Sequence, residues 1–396
     1  MHYSRLTQRI AGEGAAAWDI HYRALARQAA GEDVIILSVG DPDFATPTPI
    51  VDSAVDSLRA GATHYADVQG KARLRELIAL QHRQTGGAPE TQADNVAVMA
   101  GAQCGLYAVA QCVLDPGDEV IVPEPMYVTY EAALQAAGAT LVRVPLRAAN
   151  DFQPDPEEFA AAVTSRTRAL LLNSPHNPTG QVLSRDHWAS LAALCREHDL
   201  WLLSDEVYAE LIHDGEHLSP DSLPGMRERT AIVSSLSKSH AMTGWRLGWV
   251  IGPAPLIQHL THLALCMLYG SPDFIQDAAC EALAHPPTAL DEMRQAYRTR
   301  RDTVLEVLTD DDTVEALRPA AGMFMMVDIR RTGLSAQAFA DRLLDTQGVS
   351  VLAGDAFGPS ASGFVRLSLT VDAERLREAC RRLSRCAAEC RATAEA

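Results

Sequence analysis

The 396-residue chain has almost no lysine: Lys71 and Lys238 are the only two among 34 basic residues, so arginine carries nearly all of the positive charge. Arginine keeps its proton, whereas a partly buried lysine amine loses it and attacks carbonyl groups to form Schiff bases. Lys238, enclosed in Ser234-Ser235-Leu236-Ser237-Lys238-Ser239-His240, is therefore the first candidate for covalent chemistry. A surface lysine without a role is the alternative, and this stretch alone does not separate the two.

Three further scarcities narrow the field. Positive charge is short: the formal net charge is −17, which argues against a nucleic-acid backbone as partner. Cys-x-x-Cys pairs are absent, and the eight cysteines fall mostly in helical patterns as reduced packing residues. Cys380, Cys386 and Cys390 lie close in sequence but lack a fourth ligand, so no metal is expected. Long apolar runs are also missing. Leu263 to Tyr269 falls well short of the roughly 20 residues that span a bilayer, and Met1 to Ile10 lacks a signal-peptide core, so a cytoplasmic location is expected.

What is present is a chain with 47% hydrophobic residues, enough for two cores. A helical pattern runs around Ala15 to Ala30. Gly12-Glu13-Gly14-Ala15-Ala16-Ala17 superficially matches a dinucleotide fingerprint, but no strand precedes it. Val34 to Val39 reads as a short strand stopped by Gly40-Asp41-Pro42-Asp43. From residue 95, short apolar runs (Val96–Met99, Glu119–Val122, Ala169–Leu172, Leu200–Leu203, Ala231–Val233, Gly248–Ile251) alternate with amphipathic stretches. That pattern predicts an α/β fold whose mainly parallel sheet is covered by helices on both faces. Beyond residue 285 helices alternate with the runs Met323–Ile329 and Phe364–Leu369, predicting a smaller α+β unit. Pro286-Pro287 marks the boundary: residues 46–285 form the large domain and 286–396 the small one, which the segment 1–45 joins.

Ligands gather where parallel strands end. After Met99, Gly101, Ala102 and Gln103 open a helix whose N–H groups suit a phosphate. After Val122, Tyr127 stands in a proline turn, able to stack on a flat ring. After Leu172 comes Asn173-Ser174-Pro175-His176-Asn177-Pro178-Thr179-Gly180, holding two amides in rigid turns. Asp205 directly follows four apolar residues and needs a cation or donors. Ser235, Lys238 and Arg246 together suit a phosphorylated carbonyl compound. Each feature has an ordinary explanation in isolation: a tight turn, ring packing on Pro125, a self-satisfied Asx turn. Jointly they describe a site for pyridoxal phosphate.

Asn173-x-Pro175-x-Asn177-Pro178-Thr179-Gly180, Asp205-Glu206-x-Tyr208 and Ser235-x-x-Lys238-x(7)-Arg246-x-Gly248 resemble the motifs of the class I/II aminotransferases of the aspartate aminotransferase superfamily. The likeness extends from Gly40 to Arg366. It implies fold type I, with a mainly parallel seven-stranded sheet in the large domain, and pyridoxal 5'-phosphate as cofactor. Lys238 would be the Schiff-base lysine and proton shuttle, Asp205 would meet the pyridinium nitrogen, and Asn177 and Tyr208 the ring hydroxyl. Gly101, Ala102, Gln103, Ser235 and Arg246 would hold the phosphate, Tyr127 would stack on the ring, and Tyr65 would reach the phosphate of a neighbouring subunit in a homodimer. Gly40, Asn173 and Arg366 would receive the substrate α-carboxylate. Ala102 departs from the hydroxyl residue common there, leaving its backbone N–H for the phosphate.

Gly12 to His21, Gly101 to Cys104 and Cys266 to Pro272 further resemble the arginine:pyruvate branch of that family, implying an amino-acid donor, arginine, and a 2-oxo acid acceptor, pyruvate. Glu13 and Asp19 are the acids in the first stretch that would suit a guanidinium group, and solvated acids at a helix start are the equal alternative for both. Aspartate or aromatic transamination, or C–S lysis on the same fold, are the rival enzyme readings. A transcription regulator is disfavoured by the acidic charge and the lack of room for a DNA-binding domain before Gly40.

Overall fold

Side by side in one sheet lie Val96–Met99, Gly248–Ile251, Thr230–Ser235, Trp201–Asp205, Thr167–Asn173, Glu119–Glu124 and Thr140–Pro145, in that spatial order. This computed structural model describes residues 1–11 and 18–395, without the side chains of 393–395. All neighbouring strands are parallel except Gly248–Ile251, which runs antiparallel to both of its neighbours. The sheet is thus the expected seven-stranded, mainly parallel one.

Its strands are apolar in unbroken runs because both faces are covered. Ala97, Met99, Val120, Val122, Leu171 and Val250 pack under the helices Ala102–Val113 and Ala254–Met267. The alternate positions face the other way. Ile121, Leu170 and Leu202 meet Trp188 and Leu191 of the helix Arg185–Glu197, while Val96, Val98 and Trp249 meet the helices Thr48–Arg59, Ala72–Gln84 and Asp273–Ala284. Ser184 caps the helix Arg185–Glu197, its hydroxyl accepting from the N–H of His187. Thr140–Pro145 has no counterpart among the runs read from sequence. It is an edge strand with mostly exposed or half-buried residues, so it lacks the apolar continuity of the central strands.

A second, antiparallel sheet places Phe324–Asp328 between Phe364–Ser368 and Glu315–Ala316, with Leu352–Ala353 on the far side of Phe364–Ser368. The helices Ala289–Leu308, Ala336–Gln347 and Ala373–Glu395 enclose its core, which also takes in Ile20, Ala24, Val34, Ile35 and Leu37. Of the run Val34 to Val39, only Ile35–Ile36 pairs as a strand, parallel to Val349–Ser350. Cys380, Cys386 and Cys390 are buried in this core. No described helix is long and apolar enough to cross a membrane.

Candidate active site

Parallel register brings chemistry to one edge of the large sheet. Asn173 and Asp205 end neighbouring strands and are register partners, and Thr230–Ser235 ends beside them. Asp205 is buried, and burial pushes its carboxyl up to about 6 despite two donors. These donors are the hydroxyl of Tyr130 at 2.6 Å and the N–H of Val207 at 3.2 Å. A cation brought to this carboxylate offsets the same desolvation.

The asparagine turn forms a relay beside it. The amide of Asn173 donates to the carbonyl of Asp205 at 2.9 Å and its oxygen accepts the N–H of Asn177 at 2.8 Å. The oxygen of Asn177 then accepts Nη1 of Arg366 at 3.0 Å. Arg366 projects from the second sheet and is 5% exposed. Its Nη2 donates to the carbonyl of Ser38 at 3.1 Å, its charge lies 4.9 Å from the Phe357 ring centre, and its Nε has no partner among the described residues. A buried guanidinium whose neutral partners leave one N–H unmatched has capacity for a carboxylate.

Nζ of Lys238 donates to the carbonyl of Gly40 at 2.7 Å. Burial lowers its pKa to about 8; Asp41 opposes the shift, and the guanidinium groups of Arg366 and Arg246 add to it. Lys238 is thus the amine that sequence composition singled out, in surroundings that favour its neutral form. Beside it, Gly101 has φ of +87° and a Cβ there would collide with the guanidinium of Arg246. Gly248 has the same closeness to the N–H of Ala102 and the carbonyl of Ser234. Two glycines therefore let Arg246 and the helix start at Ala102 approach one another.

These groups surround one cavity of about 330 Å³. Gly40, Ala102, Gln103, Tyr127, Asn173 and Asn177 line it, as do Asp205, Tyr208, Ser235, Lys238, Arg246 and Arg366. Gly101 stands behind the lining, against Arg246. Asp19 corrects an expectation: it is exposed at the start of the helix Asp19–Ala29 and does not line the cavity. Ile20 and Ala24 turn into the core, and the helical period then presents Trp18 and His21 to the cavity instead. Glu13 lies outside the described residues. Tyr65 is 86% exposed, stacked at a tilt on Tyr269 with ring centres 4.9 Å apart, and lines no part of its own chain's cavity.

Sequence reading missed Tyr130, Trp18, His21 and Phe357. The ring of His21 meets the Ser38 hydroxyl at 3.2 Å, and partial burial lowers its pKa. Tyr130 sits in a helix start seven residues past the proline turn at Pro123, and only the fold shows its carboxylate partner.

The chain was compared with known proteins on this basis. It is 66% identical over 389 residues to arginine--pyruvate transaminase of Pseudomonas aeruginosa, covering 98% of this chain and 99% of that protein. It is 38% identical to the aspartate/prephenate aminotransferase of Thermus thermophilus, over 92% of this chain and 94% of that protein. A solved structure of a Thermus thermophilus aspartate aminotransferase double mutant superposes with a TM-score of 0.92 at 36% identity, covering 98% of this chain and all of that one. Residues 32–383 match the aminotransferase class I and II family, and with the shared fold and this strand-end cavity the chain belongs to that family.

Proposed function

We propose that the protein is a pyridoxal-phosphate-dependent transaminase that moves the α-amino group of L-arginine to pyruvate. The observation that carries the arginine and pyruvate assignment is the 66% identity to the arginine--pyruvate transaminase along almost the whole of both chains. The residues present fit the cofactor. Lys238 offers an amine near neutrality, Asp205 a buried carboxylate lacking a cation, and Gly101 and Gly248 clear a cradle at Ala102 and Arg246. Bound there, pyridoxal phosphate supplies an aldehyde and a ring that withdraws electrons from the breaking Cα–H bond.

The chain's own groups do the rest. Asp205, steadied by Tyr130, holds a proton on the ring nitrogen. Asn177 and Tyr208 would meet the ring oxygen, and Tyr127 would stack on the ring. The helix start at Ala102 and Gln103, with Ser235 and Arg246, takes the phosphate. Arg366, with Asn173 and the N–H of Gly40, takes the substrate α-carboxylate, which keeps the Cα–H bond near Lys238. Nζ of Lys238, once free, removes that proton and returns it on the other side of the transfer. A retained carboxylate favours transamination over decarboxylation.

The same proposal includes a cytoplasmic homodimer in which the exposed Tyr65 reaches the partner's phosphate, and the division into 46–285 and 286–396 with 1–45 joined to the latter. A panel of amino donors with pyruvate or 2-oxoglutarate tests the assignment. Arginine with pyruvate should be the best pair, yielding stoichiometric alanine. Activity confined to aspartate or aromatic donors overturns it.

A further inference from the structure

Residues 37–46 form a strap, of which Ser38, Val39, Gly40 and Asp41 line the cavity. Its carbonyls meet the site's cations: Ser38 accepts from Arg366 at 3.1 Å and Gly40 from Lys238 at 2.7 Å. Its side chains reach the large-sheet unit. Asp41 accepts from the Thr243 hydroxyl at 2.8 Å. Thr46 donates to the carbonyl of Ala241 at 2.6 Å and accepts from the indole of Trp245 at 3.0 Å.

On the opposite side the carbonyls of Leu37, Ser38 and Val39 accept from Ser368, Arg366 and Thr370, and a guanidinium adds a charged tie further along, at Asp43. Nη1 and Nη2 of Arg300 donate to the two oxygens of Asp43 at 2.7 and 2.8 Å, in a two-pronged fork. The same Nη1 donates at 2.9 Å to the carbonyl of Leu369, three residues beyond Arg366. Arg300 is 7% exposed, with Phe44 and Tyr297 at 4.9 and 5.5 Å from its charge. A parallel fork fixes both separation and plane, which a lysine ammonium cannot do. The aromatic rings shield the guanidinium from water, while the side chain of Asp43 remains 30% exposed.

We propose that Arg300 and Asp43 are positioning residues for the transamination: their fork fixes the strap so that the Gly40 carbonyl holds Nζ of Lys238 in register with the guanidinium of Arg366. The inference rests on the functional reading above. Neither residue lines the cavity, so both act through the strap. The fork joins Asp43 directly to the end of the strand that carries Arg366, so the proton-carrying amine and the carboxylate-binding guanidinium share one anchor.

The scarcity of lysine supplies a direct test. Reductive 13C-dimethylation of cofactor-free protein labels Lys71 and Lys238 as the only side-chain amines, so the titration of Lys238 is followed with Lys71 as internal reference. The groups facing that amine are Asp41, Arg366 and Arg246. Arg300→Lys keeps the charge and loses the fork; Thr46→Val releases two strap bonds without burying a charge. Arg300→Lys should lower kcat about 10- to 100-fold, more than it changes KM. It should also move the Lys238 titration toward the ordinary lysine range as water enters, leaving Lys71 in place. Thr46→Val should shift both in the same direction by less, and if Arg300→Lys does not fold, Asp43→Asn, which keeps the shape of the fork and removes its charge, takes its place and should show the same two changes. Folded variants with unchanged kcat and Lys238 titration overturn the proposal, and so does a loss of kcat with that titration unmoved, which marks a merely structural role. Wild-type protein without transaminase activity would defeat the functional reading instead, while the titration in cofactor-free protein still decides the strap.

Discussion

Lys71 and Lys238 occupy two regions that treat the same side chain in opposite ways. Lys71 begins the helix Ala72–Gln84 and reaches the helix Asp273–Ala284, where its amine lies 3.0 Å from Asp273 and 2.5 Å from Asp277. Partial burial there disfavours the charge, but the two carboxylates outweigh it and the pKa ends above the usual lysine value. Lys238 has deeper burial, a carbonyl for its hydrogen bond and two guanidinium neighbours, and its pKa falls to about 8. The difference is one of burial first and of company second, since Asp41 only opposes the shift at Lys238 while Asp273 and Asp277 bond Lys71 directly. An amine held by carboxylates becomes a fixed cation, as arginine would be; an amine held by a carbonyl among other cations stays available as a base and nucleophile.

Substitution at each site gives the sharpest contrast. Lys238→Ala should abolish transamination, with no residual activity above a blank in a coupled alanine assay, whereas Lys71→Ala should turn over at close to the wild-type rate. Normal turnover by purified Lys238→Ala removes the distinction altogether. Next in size, Asp205→Ala should lower kcat by roughly 10²- to 10⁴-fold, the range of a lost proton-handling group. Its far-ultraviolet circular dichroism should remain that of the wild type; Tyr130→Phe should show a smaller loss of kcat.

A pH series separates the two amines without mutation. Since the pKa of Lys238 is depressed to about 8, its neutral fraction grows as pH rises through that value. Uptake of pyridoxal phosphate by cofactor-free protein, followed by its absorbance, should accelerate over the same range and level off above it. Uptake indifferent to pH there contradicts the proposed state of the amine. The smallest effect belongs to stability: Lys71→Ala should cost about 0–1 kcal/mol in urea unfolding, since pairs this accessible to water contribute little. A loss several times larger would show that the two carboxylates depend on Lys71 more than their exposure implies.

How much of this was legible in the sequence differs by element. Val96–Met99 and Gly248–Ile251 have the ends read from the apolar runs, because strands buried at every position are bounded sharply by their glycine and alanine turns. The antiparallel course of Gly248–Ile251 was not legible, as an apolar run carries no sign of direction. The run from Val34 to Val39 predicted more strand than forms, because hydrophobicity reports burial and not pairing; past Ile36, Leu37 donates its N–H to the carbonyl of Ser350 at 2.9 Å and accepts the N–H of Ser368 at 2.8 Å. Asn173, Asn177, Asp205 and Lys238 could be picked out because each breaks a local rule at a strand end. Tyr130 and Arg300 break none. An aromatic in one helix and an arginine in another look like ordinary packing and surface residues until the fold supplies Asp205 and Asp43.

The contact between Ser38 and Ser350 spans 312 residues, and it sets an order on assembly. As the chain leaves the ribosome, the strands of the large sheet all precede residue 252 and can find one another early. Ile35–Ile36 has no partner until Val349–Ser350 has been made. A segment made before the large sheet is thus among the last to be seated. Until it docks, the carbonyls of Ser38 and Gly40 are missing from their cations, so a nascent chain acquires its large sheet before it acquires a finished site.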